Sequence, residues 1–279
     1  MSKQEIIFII FSILATVTLF FISYLLLKKT LNRKKLNREP FPADWHKILC
    51  NNFEVYNYLP HDIRHKLRQK IKIFIAEKNF EGCNNLELTA FHKVIVAAAA
   101  CLVVVNIKDD LYPYLNTIII YPDIYQNNNE ASAGKNVITE TPHYVSGESW
   151  GTGSIVLAWN VCLKDCQNYG TGSNVIIHEF THQLDAENGP TDGIPAIYND
   201  KLLLEWETFF KKEFFHFRAD GRHGHDVIND YGAVNAAEFY AVCTEKFFEQ
   251  PAKFKRQHTQ IYDEFKKFYN IDPASWQKE

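Results

Sequence analysis

Residues 178–182 read His-Glu-Phe-Thr-His, a pattern whose residue types and spacing suit metal chemistry. On a helix, residues four apart face the same way, so His178 and His182 can each point a ring nitrogen at one metal ion. Glu179 then lies within reach of a water bound to that ion. Zinc lowers the pKa of such a water, and a neighbouring carboxylate can take its proton as general base and deliver it to the leaving amine. The pattern predicts a hydrolytic zinc site, although these five residues also occur in unrelated helices.

The neighbouring residues argue against two histidines that merely decorate an exposed helix. Apolar side chains flank the motif on nearly every side of the predicted helix, which indicates burial. Buried histidines beside a buried carboxylate need a polar partner, and a metal ion provides one. We place the N-cap of this helix at Ser173. The apolar neighbours are Val175, Ile176, Ile177, Phe180 and Leu184.

A catalytic zinc needs a third protein ligand and an open fourth position. In metzincins the third ligand is a histidine on an extended loop, which would require Gly at 185 and His at 188. This chain has Asp185 and Asn188, so that class is excluded. The alternative ligand is a carboxylate from a second helix. The candidates are Glu205, Glu207, Glu213, Asp226, Glu238 and Glu245.

Glu238 is the candidate that we choose as the third ligand. The three glutamates between residues 205 and 213 lie among lysines, where a solvated helix face is the better interpretation. Glu238 and Glu245 instead share a helix face with small apolar residues, where a carboxylate is costly to bury unless it is paired or bound to metal. The alanines beside Glu238 let two helices approach closely. Glu245 can orient a ligating histidine, but a surface salt bridge with a lysine is an equally good interpretation.

The first 40 residues differ in character from the rest of the chain. Residues 6–27 carry no charge and are long enough to cross a membrane, and Lys28 and Lys29 follow where a signal peptide would have a cleavage site. Six bases follow the span and one precedes it, which predicts a cytoplasmic body. We therefore expect a single-pass protein of the inner (cytoplasmic) membrane with three parts. These are a transmembrane helix over residues 1–28, a basic tether over 29–40, and a catalytic domain over 41–279.

Charge and cysteine content limit the function of the body. Residues 1–40 carry a net charge of +5 and the remainder carries −8, which excludes a sequence-independent nucleic-acid binder. The six cysteines fit free thiols as well as disulfides. Cys162 and Cys166 are four residues apart and could form half a metal site. Buried thiols are the better interpretation, because no second pair has this spacing.

The pattern of the body predicts an α+β domain in which helices precede and follow a small mixed sheet. Helical spacing runs through residues 59–80, and the apolar stretch at 90–105 predicts a buried helix. Short β-branched runs at 117–121 and 154–159 predict strands. Residues 153–159 are our candidate for an edge strand that pairs with extended substrate, although an interior strand fits equally well. Residues 127–134 read as a flexible loop that could line the cleft.

The chain resembles the Mlc titration factor A family of zinc metallopeptidases, whose catalytic core is similar to that of anthrax lethal factor. The resemblance covers nearly the whole body and rests on six segments. They are Phe80-Glu81-Gly82-Cys83, Leu86-Glu87-Leu88-Thr89, Gly147-Glu148-Ser149-Trp150, His178 to Asp185, Asp192-Gly193-Ile194-Pro195, and Tyr231-Gly232-Ala233 with Ala237-Glu238-Phe239.

The resemblance implies a zincin-like fold with one zinc ion on His178, His182 and Glu238. It further implies Glu179 as general base, aminopeptidase-like activity and, in the namesake, contact with a transcriptional repressor of sugar uptake. It also implies that Tyr231 helps to stabilise the transition state. A phenol seven residues before the ligand can indeed donate to an oxyanion, although Tyr231 also fits as core filler.

Two features of the chain depart from the family pattern. Ala236 stands where the family often has Pro, and the membrane segment lies outside the resemblance. Asp185 can hold a histidine tautomer or simply end the helix. Besides a peptidase acting on peptides or proteins, two functions stay open. One is a membrane-tethered module that sequesters a regulatory protein, and the other is an endopeptidase in membrane-protein quality control.

Overall fold

The computed structural model describes residues 2–107, 110–123, 153–197, 200–221 and 226–276. The chain divides into two units, Met1–Phe41 and Pro42–Glu279. The predicted loop at 127–134 and the family segment at 147–150 lie outside the described residues.

The first unit is a single helix, α1 (Lys3–Arg38), with no buried residue. It is long and apolar enough to cross a membrane by length and composition. Its 36 residues measure about 54 Å, which exceeds a hydrocarbon core of about 30 Å. The helix therefore continues through the basic segment that we describe as a tether. It ends at Arg38, because the residue before Pro40 is disfavoured in helical conformation.

The second unit is mostly helical and contains a small sheet. Its short 3₁₀ segments are Glu54–Asn57, Ala186–Asn188, Asp230–Ala233 and Pro273–Ser275. Its helices and strands are, in chain order, α2 (Ala43–Asn52), α3 (His61–Glu77), β1 (Asn79–Gly82), α4 (Ala90–Val103), β2 (Thr117–Tyr121), β3 (Ser154–Ala158), α5 (Trp159–Gln167), α6 (Val175–Asp185), α7 (Asp200–Asp220), α8 (Ala236–Glu249), α9 (Pro251–Gln257) and α10 (Thr259–Tyr269).

The three described strands form a parallel sheet in the order β1-β2-β3. Thr117 of β2 pairs with Asn79 on one side and with Ser154 on the other. The prediction of a mixed sheet is wrong for this part of the chain. A helix-containing segment joins β1 to β2 and about 30 residues join β2 to β3, so both connections are long enough for parallel crossovers. Among the described strands β3 pairs with β2 alone, which places it at an edge.

Helix α4 is a buried helix that packs against α6. Its residues from Val94 to Val103 are almost fully buried, and the four alanines among them leave room for neighbouring helices. Phe180 of α6 packs against Phe74 and Tyr112, with ring centroids 5.7 and 4.9 Å apart. These contacts fix α6 from the side opposite its polar residues.

Helix α8 lies between α6 and a cluster of aromatic rings. Ala241 is fully buried on α8, and such small residues allow two helix backbones to approach closely. Phe239 packs on Phe210 of α7, and Phe247 packs on Phe265 of α10. The two helices α6 and α8 therefore carry the predicted ligands on a rigidly packed scaffold.

Candidate metal centre

Helix α6 begins one residue later than the sequence predicts. Asn174 is its N-cap, and the Asn174 side-chain oxygen accepts a hydrogen bond from the Ile177 backbone N–H at 3.2 Å. The prediction of Ser173 as N-cap is wrong, and Ser173 is exposed. Both residue types cap helices well, so local preference does not separate them. The choice depends on the partners of Asn174 described below.

Three side-chain atoms meet where α6 faces α8. His178 Nε2 lies 3.1 Å from His182 Nε2 and 3.1 Å from Glu238 Oε2. His182 Nε2 lies 3.4 Å from the same Glu238 oxygen. In a tetrahedral zinc site with bonds of about 2.0–2.1 Å, the ligand atoms are about 3.3 Å apart. The spacing of these three atoms fits a zinc ion.

The chemistry of the donor set also fits a metal ion. His178 Nδ1 donates to Glu245 Oε1 at 2.8 Å, which leaves the lone pair of a neutral imidazole on Nε2. Nε2 faces His182 and Glu238, which both offer lone pairs as well. Lone pairs that converge in this way repel each other unless a proton or a cation lies between them. Of the two interpretations of Glu245, the structure shows the contact with a histidine.

The electrostatic surroundings favour positive charge at the same point. Burial lowers the pKa of His178, but hydrogen bonds with Glu238 and Glu245 outweigh it and raise this pKa to about 10. Burial opposes ionisation of Glu238, yet hydrogen bonds with the two histidines lower its pKa to about 2. The protein therefore keeps Glu238 ionised and attracts a cation, a role that a divalent metal fills.

Two further predicted residues lie close to the three converging atoms. Glu179 follows His178 on α6 and is buried. Tyr231 lies in the short 3₁₀ segment before α8, and its ring centroid is 5.9 Å from that of His178. The tyrosine is 42% exposed, which argues against core filler. Burial and the nearby carboxylates of Glu238 and Glu179 raise its pKa to about 12, so its hydroxyl stays protonated and can donate a hydrogen bond.

Asp185 holds the loop that follows α6. Its Oδ2 accepts a hydrogen bond from the Gly193 backbone N–H at 2.8 Å. Gly193 has a φ of +81°, and a Cβ there would lie 2.6 Å from the Ala236 carbonyl oxygen. This close approach brings the loop against the start of α8, which carries Glu238. Burial raises the pKa of Asp185 to about 7.

The structure does not bring the remaining acidic candidates to this point. Glu205 and Glu207 face lysines one turn away on α7, as a solvated face requires. Asp226 accepts a hydrogen bond from the ring of His258 at 2.7 Å. Cys162 and Cys166 are buried free thiols on α5.

Three polar residues near the site, of which Asn174 and Glu249 are buried, were not predicted from the sequence. Asp165 accepts a hydrogen bond from the Val175 N–H at 3.0 Å, and Glu249 accepts one from the Asn174 side chain at 3.0 Å. Asn174 before an apolar helix start is a recognisable cap signal. Glu249 lies one turn after Glu245 and shares its face, which was a weaker signal.

Comparisons with known proteins identify the family of the chain. A family model described as Glucose-regulated metallo-peptidase M90 matches residues 27–270, a span that includes every residue of the site. An uncharacterized protein of Synechocystis sp. is 35% identical over 242 residues, which cover 86% of this chain and 88% of the relative. Mlc titration factor A of Klebsiella pneumoniae is 27% identical over 240 residues, covering 84% and 88%. The Serratia proteamaculans protein of that name is 29% identical over 207 residues, covering 72% and 77%. The chain therefore belongs to the glucose-regulated metallo-peptidase M90 family, whose name implies a metal.

Proposed function

We propose that this protein is a zinc-dependent metallopeptidase of zincin-like fold that hydrolyses peptide bonds. The observation that carries the proposal is the convergence of three ligand-type atoms, from His178, His182 and Glu238, beside the buried Glu179. These three residues would hold the metal. When bound, zinc acts as a Lewis acid and lowers the pKa of water at the site.

The residues of the chain supply the proton transfers and the orientation. Glu179 takes the proton from the attacking water and passes it to the leaving amine. Tyr231 donates a hydrogen bond to the oxyanion of the tetrahedral intermediate. Glu245 fixes the tautomer and the direction of His178. A Glu179→Gln protein that keeps zinc, fold and full peptide hydrolysis would contradict this assignment.

The finer specificity that we propose is aminopeptidase-like. An aminopeptidase needs a free substrate amine, whereas an endopeptidase does not. Rates on free and amino-blocked versions of the same peptides separate the two activities. Undiminished cleavage of the blocked peptides would exclude the exopeptidase and would favour internal cleavage of nearby membrane-protein tails.

A second candidate function is regulatory binding at the membrane. The relatives named Mlc titration factor A favour it, because the name describes titration of another protein. In this case the chain sequesters a transcriptional regulator and catalysis is latent or secondary. Metal binding without turnover of any peptide in a broad panel would favour this function over the peptidase.

We place the protein in the inner membrane, with α1 as a single span and the domain over residues 41–279 on the cytoplasmic side. The bases after the apolar stretch support this orientation, since such residues favour the cytoplasm. Cys50, which is partly exposed, serves as a reporter. A membrane-impermeant thiol reagent should leave Cys50 unlabelled in intact cells and label it after lysis. Ready labelling in intact cells would reverse the orientation.

A further inference from the structure

The last turn of α8 is hydrogen-bonded to the segment that leads into α6. Glu249 Oε2 accepts from the Gly170 N–H at 3.1 Å, and the Gln250 side chain donates to the Gly170 carbonyl at 2.7 Å. The Lys246 ammonium donates to the carbonyl of Gly172. Glu249 is 3% exposed, and a buried carboxylate of this kind is costly unless it is hydrogen-bonded. The end of α8 therefore fixes residues 170–172 through three hydrogen bonds.

The conformation of this segment depends on its contact with α8. Gly170 and Gly172 have φ values of +92° and +88°, a region that favours glycine. A Cβ on Gly172 would lie 2.9 Å from the Gln250 side chain. The glycines thus permit the close approach that the hydrogen bonds require.

Asn174 connects this segment to the candidate metal centre. Its side-chain nitrogen donates to Glu249 Oε1 at 3.0 Å, while its side-chain oxygen caps α6 through Ile177. Its backbone N–H donates to Glu245 Oε2 at 2.9 Å. The other oxygen of Glu245 accepts from His178. A continuous path of hydrogen bonds therefore runs from Glu249 through Asn174 and Glu245 to His178.

We propose that Glu249 is a positioning residue that sets the direction of the His178 ring through Asn174 and Glu245. The inference rests on the proposed function, since it concerns the orientation of a proposed zinc ligand. Glu249 holds Asn174 in place, and the Asn174 backbone N–H in turn holds one oxygen of Glu245. When Asn174 shifts, Glu245 follows it and the hydrogen bond to His178 lengthens or bends. Groups hydrogen-bonded directly to a metal ligand, as Glu245 is to His178, commonly change metal affinity by about 10- to 100-fold when they are replaced, and Glu249 acts on that contact through Asn174.

A single substitution and its compensating double substitution test this path. In Glu249→Gln the new amide group faces an N–H donor, because both oxygens of Glu249 accept from Gly170 and Asn174. Adding Asn174→Asp reverses the direction of the lost bond, since the introduced amide can then donate to the introduced carboxylate. Asp also caps helices well, and the pair still contains one carboxyl group and one amide. Asp272→Asn is a matched control, because Asp272 accepts from Tyr262 and Lys266, away from this path.

The full-length protein in detergent is titrated with zinc against a competing chelator, and its cobalt-substituted form is examined by visible absorption. We expect Glu249→Gln to weaken zinc binding about tenfold and to alter the cobalt spectrum at a temperature where the protein is fully folded. The double variant should restore the zinc affinity and the cobalt spectrum of the unsubstituted protein, and Asp272→Asn should change neither. A role in folding alone would lower the unfolding temperature and leave the cobalt spectrum unchanged.

The outcomes separate this inference from the proposed function. Unchanged zinc affinity and cobalt spectrum in a folded Glu249→Gln protein overturn the positioning role and leave the metallopeptidase proposal standing. The positioning role is also overturned if Glu249→Gln weakens zinc binding and alters the cobalt spectrum but the double variant recovers neither. The effect of Glu249 then does not pass through Asn174. Absence of zinc binding in the unsubstituted protein refutes the proposed function itself.

Discussion

Replacing Glu245 should weaken metal binding, because each of its two oxygens has a different buried partner. One oxygen lies 2.8 Å from His178 Nδ1 and the other lies 2.9 Å from the backbone nitrogen of Asn174. Glu245→Gln keeps the size of the side chain but leaves one accepting oxygen. Either His178 or Asn174 then loses its partner, and a hydrogen bond to a charged group is worth about 1.5–3 kcal/mol.

Either loss weakens the hold on His178, directly or through the Asn174 contact that fixes Glu245, so zinc affinity should drop by about 10- to 100-fold, which corresponds to about 1.4–2.7 kcal/mol. The assay is a competition titration of zinc against a chromophoric chelator at constant pH. Glu205→Gln on α7 is the control, because Glu205 lies on the solvated face and should leave the affinity unchanged. Zinc affinity within about twofold of the original protein in a folded Glu245→Gln variant would show that Glu245 does not orient His178, since the expected loss is at least about tenfold.

Three other predictions concern the metal ligand, the tyrosine and the half-buried Asp165. Metal analysis should find no stoichiometric zinc in Glu238→Ala, whereas Glu205→Ala should retain it. The reverse result would make Glu205 the third ligand in place of Glu238. Tyr231→Phe should lower kcat by about 100-fold with zinc content unchanged in steady-state assays, and an unaltered kcat would remove its role. Burial raises the pKa of Asp165 from its ordinary 3.8 to about 6. The folded state therefore retains a proton that the unfolded state releases, so unfolding free energy relative to Asp165→Asn should fall as pH rises from about 4 through about 6. Urea unfolding across this range measures the difference, and a constant or rising difference would contradict the assigned environment.

Local patterns in the sequence predict the helices that carry the site. Apolar spacing identifies α6 and the alanine-rich α4, because both bury most of their surface. The four-residue strand β1 is missed, since it is too short for an alternating pattern to emerge. The parallel direction of the sheet is also missed, because it depends on connections whose path no local pattern encodes. In the basic segment after residue 27, no sequence feature except Pro40 indicates where α1 ends.

The sequence predicts the three residues that converge at the site better than it predicts the residues that hold them in place. Glu238 follows from the cost of burying a carboxylate among small apolar residues, an argument that needs only its own helix. Asp165 and Glu249 act on the start of α6 from separate helices, Asp165 through the Val175 backbone N–H and Glu249 through the Asn174 side chain, and no pattern in their own helices indicates these partners. Asn174 displaces Ser173 as the cap because Glu245 and Glu249 accept hydrogen bonds from it. Such long-range preferences cannot be read from one sequence.

A hydrolytic zinc site with Glu179 as base can be tested by one paired measurement. Zinc content and peptide hydrolysis are determined for the full-length protein and for Glu179→Gln, which removes the base and leaves all three proposed ligands in place. We predict about one zinc per chain in both proteins and hydrolysis in the unsubstituted protein alone. Equal hydrolysis by both proteins, or an unsubstituted protein that binds no zinc, would contradict the account.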